Sequence, residues 1–300
     1  MKENAQDLVW RSLLYVPANN PKFIGKAHTR GADAIILDLE DSVPQMERPG
    51  ARAGLADAAR SVAQNGSDVL VRINRPLPEA VLDIEAAVMP EVSAFFVAKA
   101  ESAEHLRLLE EVVADRERTL GLRLGHTGFV PMVETASAYF RMAEIAGALA
   151  RNVALTLGGE DFALDNRMVP DGETLFLPNQ EVVYAARAAG IVPLGTFGTV
   201  ADFQDLDAYR ESARKARRYG FEGSSCIHPG VVPVLNDEFA PAPEEIDHAE
   251  RVVAAYEKSV AEGVGAITID GKMIDVPVAI RAQNLLARAR AIAARQKQMS

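Results

Sequence analysis

Residues 127–165 read TGFVPMVETASAYFRMAEIAGALARNVALTLGGEDFALD, and the fold of the chain turns on them. Two apolar strand-like runs, 128–133 and 153–157, flank an alanine-rich segment with helical spacing. Each run ends on an acid: Glu134 after the first, and Asp161 just past Gly158 and Gly159 after the second. Strand, helix, strand at this spacing is a βαβ unit of a parallel sheet. Such sheets carry their chemistry at the carboxyl ends of strands. Two carboxylates side by side there repel, unless one is protonated or a cation lies between them. An all-oxygen donor set suits Mg2+, which keeps positions open for substrate oxygens. The expectation is a Mg2+ site on Glu134 and Asp161 that holds a small oxo-acid; the competing one is a pair of solvated loop acids.

Outward from this unit, short apolar runs at 11–17, 34–39, 69–73, 94–98 and 192–197, and a segment at 225–228 stopped by Pro229, complete eight strands. Helical patterns at 21–30, 47–65, 77–88, 102–117, 178–189 and 202–218 alternate with them, and a polar stretch at 164–176 reads as a lid. Eight such alternations predict an α/β fold, a (β/α)8 TIM barrel. No G-x-G-x-x-G follows a strand, which weakens a dinucleotide-binding sheet. After Pro241-Ala-Pro243 come a helix at 244–262, an irregular or hairpin stretch at 263–277 and a basic helix at 278–296. The expected division is therefore a barrel over 1–240 and a C-terminal helical extension over 241–300. That extension is more than a barrel needs, and is expected to pack on a neighbouring subunit or over a barrel mouth.

Hydrophobic residues make up 48% of the chain and charged ones 25%, an ordinary globular profile. No apolar run approaches the ~18–20 residues that span a bilayer. MKENAQDLVWRS at the start lacks a signal-peptide h-region. A single cysteine, Cys226, excludes an internal disulfide framework and a cysteine-rich zinc site, so a reducing cytoplasm is expected. The net charge of −10 argues against nucleic acid as a partner, while leaving room for an anionic small molecule at a local basic cluster.

Polar residues gather where strands end: Asp38, Glu40, Asp41, Arg72, Lys99, Glu134, Asp161 and His228. Arg72 suits a bidentate clamp on a substrate carboxylate, or a structural salt bridge to the acids of the second strand. Glu40 and Asp41 are placed to hydrogen-bond metal-bound waters, or to favour a helix N-terminus. His228 is as well suited to ordering a loop as to catalysis, and Cys226 reads as buried and inert. Tyr15, Lys22 and Lys26 flank the first strand–helix turn, where the lysines either bind phosphates or form a solvated helix face.

Seven blocks occur in order: RSLLYVP, ADAIILDLEDSVP, VRIN, PMVETA, LGGEDF, GFEG followed by CIHP, and GKMIDVP. Together, over about residues 11–285, they resemble the citrate lyase β subunit and the malyl-CoA and citramalyl-CoA lyases of the HpcH/HpaI aldolase superfamily. The resemblance implies a Mg2+-dependent lyase, often trimeric, that cleaves the carbon–carbon bond of a 3-hydroxyacyl-CoA to an acyl-CoA and an α-keto acid such as glyoxylate or pyruvate. It implies Glu134 and Asp161 as metal ligands, Arg72 with Glu134 at the substrate, and Tyr15, Lys22 and Lys26 at CoA. It further implies Asp275 as the acid/base group, reaching the active site of an adjacent subunit in a homo-oligomer, trimer or hexamer. Ser224 after Gly223, Ala18 after Pro17 and the 195–205 segment depart from the family's usual form and bear on the acyl substrate. Two other readings are carried forward: a metal-dependent aldolase on a free hydroxy-diacid, and a citrate-lyase-type subunit that is inactive alone.

Overall fold

The computed structural model describes residues 8–198, 204–263 and 265–299. They divide into two compact units, Trp10–Phe239 and Ala240–Gln298, the latter with Leu8 and Val9.

The first unit is built on eight strands: β1 (Ser12–Pro17), β2 (Ala34–Asp38), β3 (Asp68–Ile73), β4 (Val92–Val97), β5 (Gly128–Val133), β6 (Ala154–Leu157), β7 (Val192–Leu194) and β8 (Ser224–Cys226). All neighbours pair in parallel, in the order β7-β6-β5-β4-β3-β2-β1-β8. The two free edges meet in a parallel bridge between Leu194 and Gly223, with Gly195 N–H donating to the Gly223 carbonyl at 2.8 Å. The sheet is thereby closed, and the expected (β/α)8 barrel is the observed fold. Gly223 is required on its other side, where a Cβ would overlap the Trp10 carbonyl just ahead of β1.

Among the described residues ten α-helices belong to this unit: α1 (Pro21–Ala27), α2 (Arg48–Val62), α3 (Leu77–Ala87), α4 (Ala103–Thr119), α5 (Ala136–Tyr139), α6 (Met142–Gly147), α7 (Gly159–Asn166), α8 (Phe176–Ala189), α9 (Leu206–Tyr219) and α10 (Val232–Glu238). Strand residues alternate between the helix-facing core and the barrel interior. Ile35, Leu37, Val69, Val71, Ile73, Phe95 and Val97 join the core formed with the helices. Ile36, Leu70 and Phe96 between them are equally buried but lie outside that core, on the inner face. On the same alternation Tyr15, Asp38, Arg72, Met132 and Thr156 form an inner layer at the carboxyl end, which is how polar side chains enter an otherwise apolar barrel.

Some elements differ from expectation. The segment between β5 and β6 is two short helices, interrupted by a tight turn at Arg141 that leaves the Tyr139 ring against Phe162, centroids 5.6 Å apart. The expected lid at 164–176 begins as the end of α7, which stops where Arg167 takes a φ of 56°. Strands β7 and β8 are shorter than read, and His228 lies beyond β8, where its ring Nδ1 accepts the Gly230 N–H at 3.1 Å. The first two residues of the expected 202–218 helix, like residues 1–7, lie outside those described; α9 begins at Leu206, capped by the Asp205 carboxylate.

In the second unit α11 (Pro243–Ala261) and α12 (Val276–Gln298) pack around Ala249, Val252, Ile274 and Ala282. Between them β9 (Ile267–Ile269) and β10 (Lys272–Ile274) form an antiparallel hairpin. Its two-residue turn, Asp270-Gly271, has φ of 51° and 75°, as the right-handed twist of a hairpin favours. Among the described residues, no helix is long and apolar enough to cross a membrane.

Candidate active site

A cavity of about 780 Å³ opens at the carboxyl end of the barrel, lined by residues from Leu14 to Pro229 of the first unit. Strand register decides who meets whom in it. Asp38 pairs in register with Arg72 on the adjacent strand, and both side chains point inward. Arg72 donates from Nε to Asp38 Oδ1 at 2.7 Å and from Nη2 to Oδ2 at 2.8 Å, a bidentate pair. Its remaining nitrogen, Nη1, lies 2.9 Å from Glu40 and 3.3 Å from Asp41. The contact to Glu40 Oε2 is an ion pair without hydrogen-bond alignment. The guanidinium also lies over the Tyr15 ring, 4.9 Å from its centroid. The bidentate face of Arg72 is thus taken by the second strand's acid, and its Nη1 edge is engaged too, donating to the mostly exposed Asp41.

Glu134 follows β5 directly and is 1% exposed. Its carboxylate accepts the backbone N–H of Lys99 and lies against Gly158, where any Cβ would overlap it. Gly158 is held in turn by its N–H to the Val133 carbonyl, at 3.0 Å. Asp161 sits in the first turn of α7, with its side chain a third exposed. Lys99 joins these acids: its Nζ lies 2.9 Å from Glu40 Oε1 and 3.5 Å from Asp161 Oδ1.

The electrostatics follow from this crowding. Burial pushes the Glu134 carboxyl up to about 7; the Lys99 amide and ammonium oppose that shift, and the charges on Glu40 and Asp161 add to it. Burial likewise raises Glu40, against the pull of Arg72 and Lys99. Asp38 moves the other way: despite burial, its bonds to Arg72 hold it below the usual carboxylate range. Burial raises the Tyr15 hydroxyl too, so it stays protonated. Five carboxylates, on Asp38, Glu40, Asp41, Glu134 and Asp161, meet the two cations Arg72 and Lys99.

A divalent ion fits this arrangement. Glu134 and Asp161 offer only oxygen donors, they repel one another, and the local charge is negative in excess. Among the described residues no group of three or more His, Cys, Asp or Glu is placed to hold a metal. Two carboxylates with the remaining positions open to water or substrate match a hard cation such as Mg2+ better than zinc.

At the cavity mouth α1 starts from an Asn20 cap, with Pro21 in its first turn. Lys22 and Lys26, four apart, share one exposed face, line the cavity and have no acid partner among the described residues. Cys226 is buried, its thiol pushed up to about 12 by desolvation. Asp275 belongs to the second unit, where its carboxylate accepts the Val278 N–H at 3.4 Å at the start of α12.

The sequence reading placed Lys99 and Asp38 at strand ends without giving either a task, and gave none to Gly158. The signal for Lys99 was its place after an apolar strand whose neighbour, β5, ends on an acid, Glu134. Gly158 carried a signal in the Gly-Gly pair directly ahead of Asp161.

Residues 11–229 match the family model described as HpcH/HpaI aldolase/citrate lyase. The chain belongs to that family. It is 34% identical to the citrate lyase subunit beta of Leuconostoc mesenteroides subsp. cremoris, over 94% of this chain and 93% of that one. It is 32% identical to a (3S)-malyl-CoA thioesterase of Cereibacter sphaeroides, over 95% and 96%. Among solved structures, the Mycobacterium tuberculosis protein CitE in complex with magnesium, acetoacetate and coenzyme A matches with a TM-score of 0.75 at 28% identity, covering 95% of this chain and 99% of that one. Family membership thus agrees with the resemblance carried by the seven blocks.

Proposed function

We propose that this protein is a Mg2+-dependent carbon–carbon lyase that cleaves or forms a 3-hydroxyacyl-CoA thioester, such as malyl-CoA or citramalyl-CoA. The products are an acyl-CoA and an α-keto acid, glyoxylate or pyruvate. One observation carries the reading: Glu134 and Asp161 stand at neighbouring strand ends, in a cavity with an excess of acid and with two lysines at its mouth that have no acid partner among the described residues. The related CitE complex with magnesium, acetoacetate and coenzyme A supports it.

Glu134 and Asp161 would hold the ion, and Glu40 and Asp41 would serve beside them as hydrogen-bond acceptors. An ion held there would supply Lewis-acid polarisation of the keto-acid oxygens and would stabilise negative charge developing as the carbon–carbon bond breaks. Arg72, fixed by Asp38, exchanges the exposed Asp41 for the substrate carboxylate at its Nη1 edge. Tyr15 supports that guanidinium from below and contacts the thioester half. Lys22 and Lys26 neutralise CoA phosphates. Asp275 handles the proton at the thioester α-carbon from an adjacent subunit, in a cytoplasmic homo-oligomer, trimer or hexamer, in which residues 241–300 pack on a neighbour.

The test is to incubate purified protein and Mg2+ with malyl-, methylmalyl- and citramalyl-CoA and to read the products by mass spectrometry. Release of acyl-CoA and keto acid from any of them is expected; no turnover of all three defeats the reading. The identity to a citrate lyase subunit favours one alternative, a subunit that needs an acyl carrier partner. Cleavage of a CoA thioester by the purified chain alone excludes it. A rise in melting temperature with CoA is expected, and its absence points instead to an aldolase acting on a free hydroxy-diacid.

A further inference from the structure

Lys99 touches both carboxylates of the pair, one from its main chain and one from its side chain, and this rests on the metal-site reading just given. It is one of three non-glycine residues with positive φ among those described, at 48°. Left-handed backbone at a lysine is uncommon and persists only where surrounding structure holds it. Here the turn sends the amide N–H to Glu134 and lets the ammonium reach Glu40 and Asp161. The two side-chain contacts are unequal. Glu40 is hydrogen-bonded at 2.9 Å, whereas Asp161 is held at 3.5 Å and has no other ion pair among the described residues.

We infer that Lys99 is a positioning residue: its amide orders Glu134 for a divalent ion, while its ammonium takes the ion's electrostatic place and yields Asp161 when the ion binds. The two halves of one residue therefore act in opposite senses. The amide favours ion binding by fixing one ligand. The ammonium opposes it, because a cation near the carboxylates repels an incoming cation and shields the acids from one another. Glu40 keeps the ammonium tethered once Asp161 is released. Removing only the ammonium separates these effects: the ion should bind more tightly, and the ion-free protein should become less stable.

Mn2+ titrated into the full chain by calorimetry reads the first effect, and melting in EDTA reads the second. Lys99→Met removes the charge and keeps most of the stem. Lys99→Gly keeps the amide and is at ease at this φ, so it guards against a folding defect in the first variant. Both should bind Mn2+ roughly tenfold more tightly, or better, than wild type. Both should melt lower in EDTA and gain more from Mn2+, and Lys99→Arg should return affinity toward wild type. Unchanged or weaker affinity in both variants overturns the inference, since a merely structural ion pair would lower the melting temperature without tightening the ion. Asp161→Asn separates the two failures. If it binds Mn2+ like wild type, the metal-site reading itself is wrong; if its binding is lost, the Lys99 variants report on Lys99 alone.

Discussion

At the amino-terminal side of β5 and β6, Arg151 donates to both Glu117 oxygens, at 3.1 and 3.2 Å, and to the Thr127 carbonyl at 2.7 Å. Glu117 also accepts the N–H groups of Gly125 and Thr127, each at 2.9 Å. Arg11 and Asp33, ahead of β1 and β2, form a similar pair through two bonds of 2.8 Å. At the carboxyl ends of the same strands, Glu134 and Asp161 share a single lysine with Glu40. One end closes its charges, arginine to carboxylate, with the lone pairs filled by backbone donors. The other leaves carboxylates in excess around open space. A buried charge costs stability unless it is matched, so the mismatch marks where the barrel holds something for a partner yet to arrive.

The comparison can be broken at either end. The largest effect is expected from Asp161→Ala, which should cut Mg2+-dependent turnover by roughly a thousandfold or more and leave the circular dichroism spectrum unchanged. Turnover equal to wild type would remove the ion from the reaction. Glu117→Gln should do the reverse, lowering unfolding free energy by about 3 kcal/mol, the low end for breaking a buried pair, because Arg151 keeps only the partly exposed Glu110 as an anionic partner. Urea unfolding measures this, and turnover per folded molecule should stay near wild type. Gly158→Ala should displace the Glu134 carboxylate and weaken Mg2+-dependent activity by roughly tenfold to a hundredfold, as seen for other residues that support a metal ligand. Titration of the metal dependence would show whether affinity or turnover carries the loss.

The smallest effect is a difference of sign in pH dependence. Glu134 has a folded value near 7 against an ordinary 4.5, so between these the folded state binds the extra proton. In EDTA its contribution to stability should rise as pH falls through about 7 and level off near 4.5. Glu117 is held below its ordinary value, because the Arg151 and backbone bonds outweigh burial. Its stabilisation is present above about 4.5 and fades as pH falls through the folded value. Melting curves from pH 8 to 4 in EDTA should therefore climb and then drop, and Glu134→Gln should flatten only the climb.

The order of elements was legible because most barrel strands are short apolar runs closed by a charged residue, glycine or proline, as at Val133-Glu134 and Val16-Pro17, while β8, Ser-Ser-Cys, is marked chiefly by Pro229 just beyond it. The placement of Glu134 and Asp161 at strand ends follows from the same pattern. What could not be read is the choice of partners. Arg72 faces Asp38 because two strands align at one register, and no local spacing encodes that alignment. The contacts of Lys99 depend on a positive φ, which sequence signals at glycine and asparagine but seldom at lysine. The extents of β7 and β8 were overestimated because Gly195, Thr196 and His228 continue plausible strands in sequence, while in space their backbones have already turned to serve loops.

The barrel wall is stitched unevenly. β1 and β2 hold five residues in register, whereas β7 meets β8 through one bridge, backed by a glycine that tolerates no side chain. A cylinder with a single weak stave breathes there first. Amide exchange should begin along Leu194 and Gly223 and reach β2 and β3 last, so adjustment to ligands of different girth is expected to come from that side of the wall.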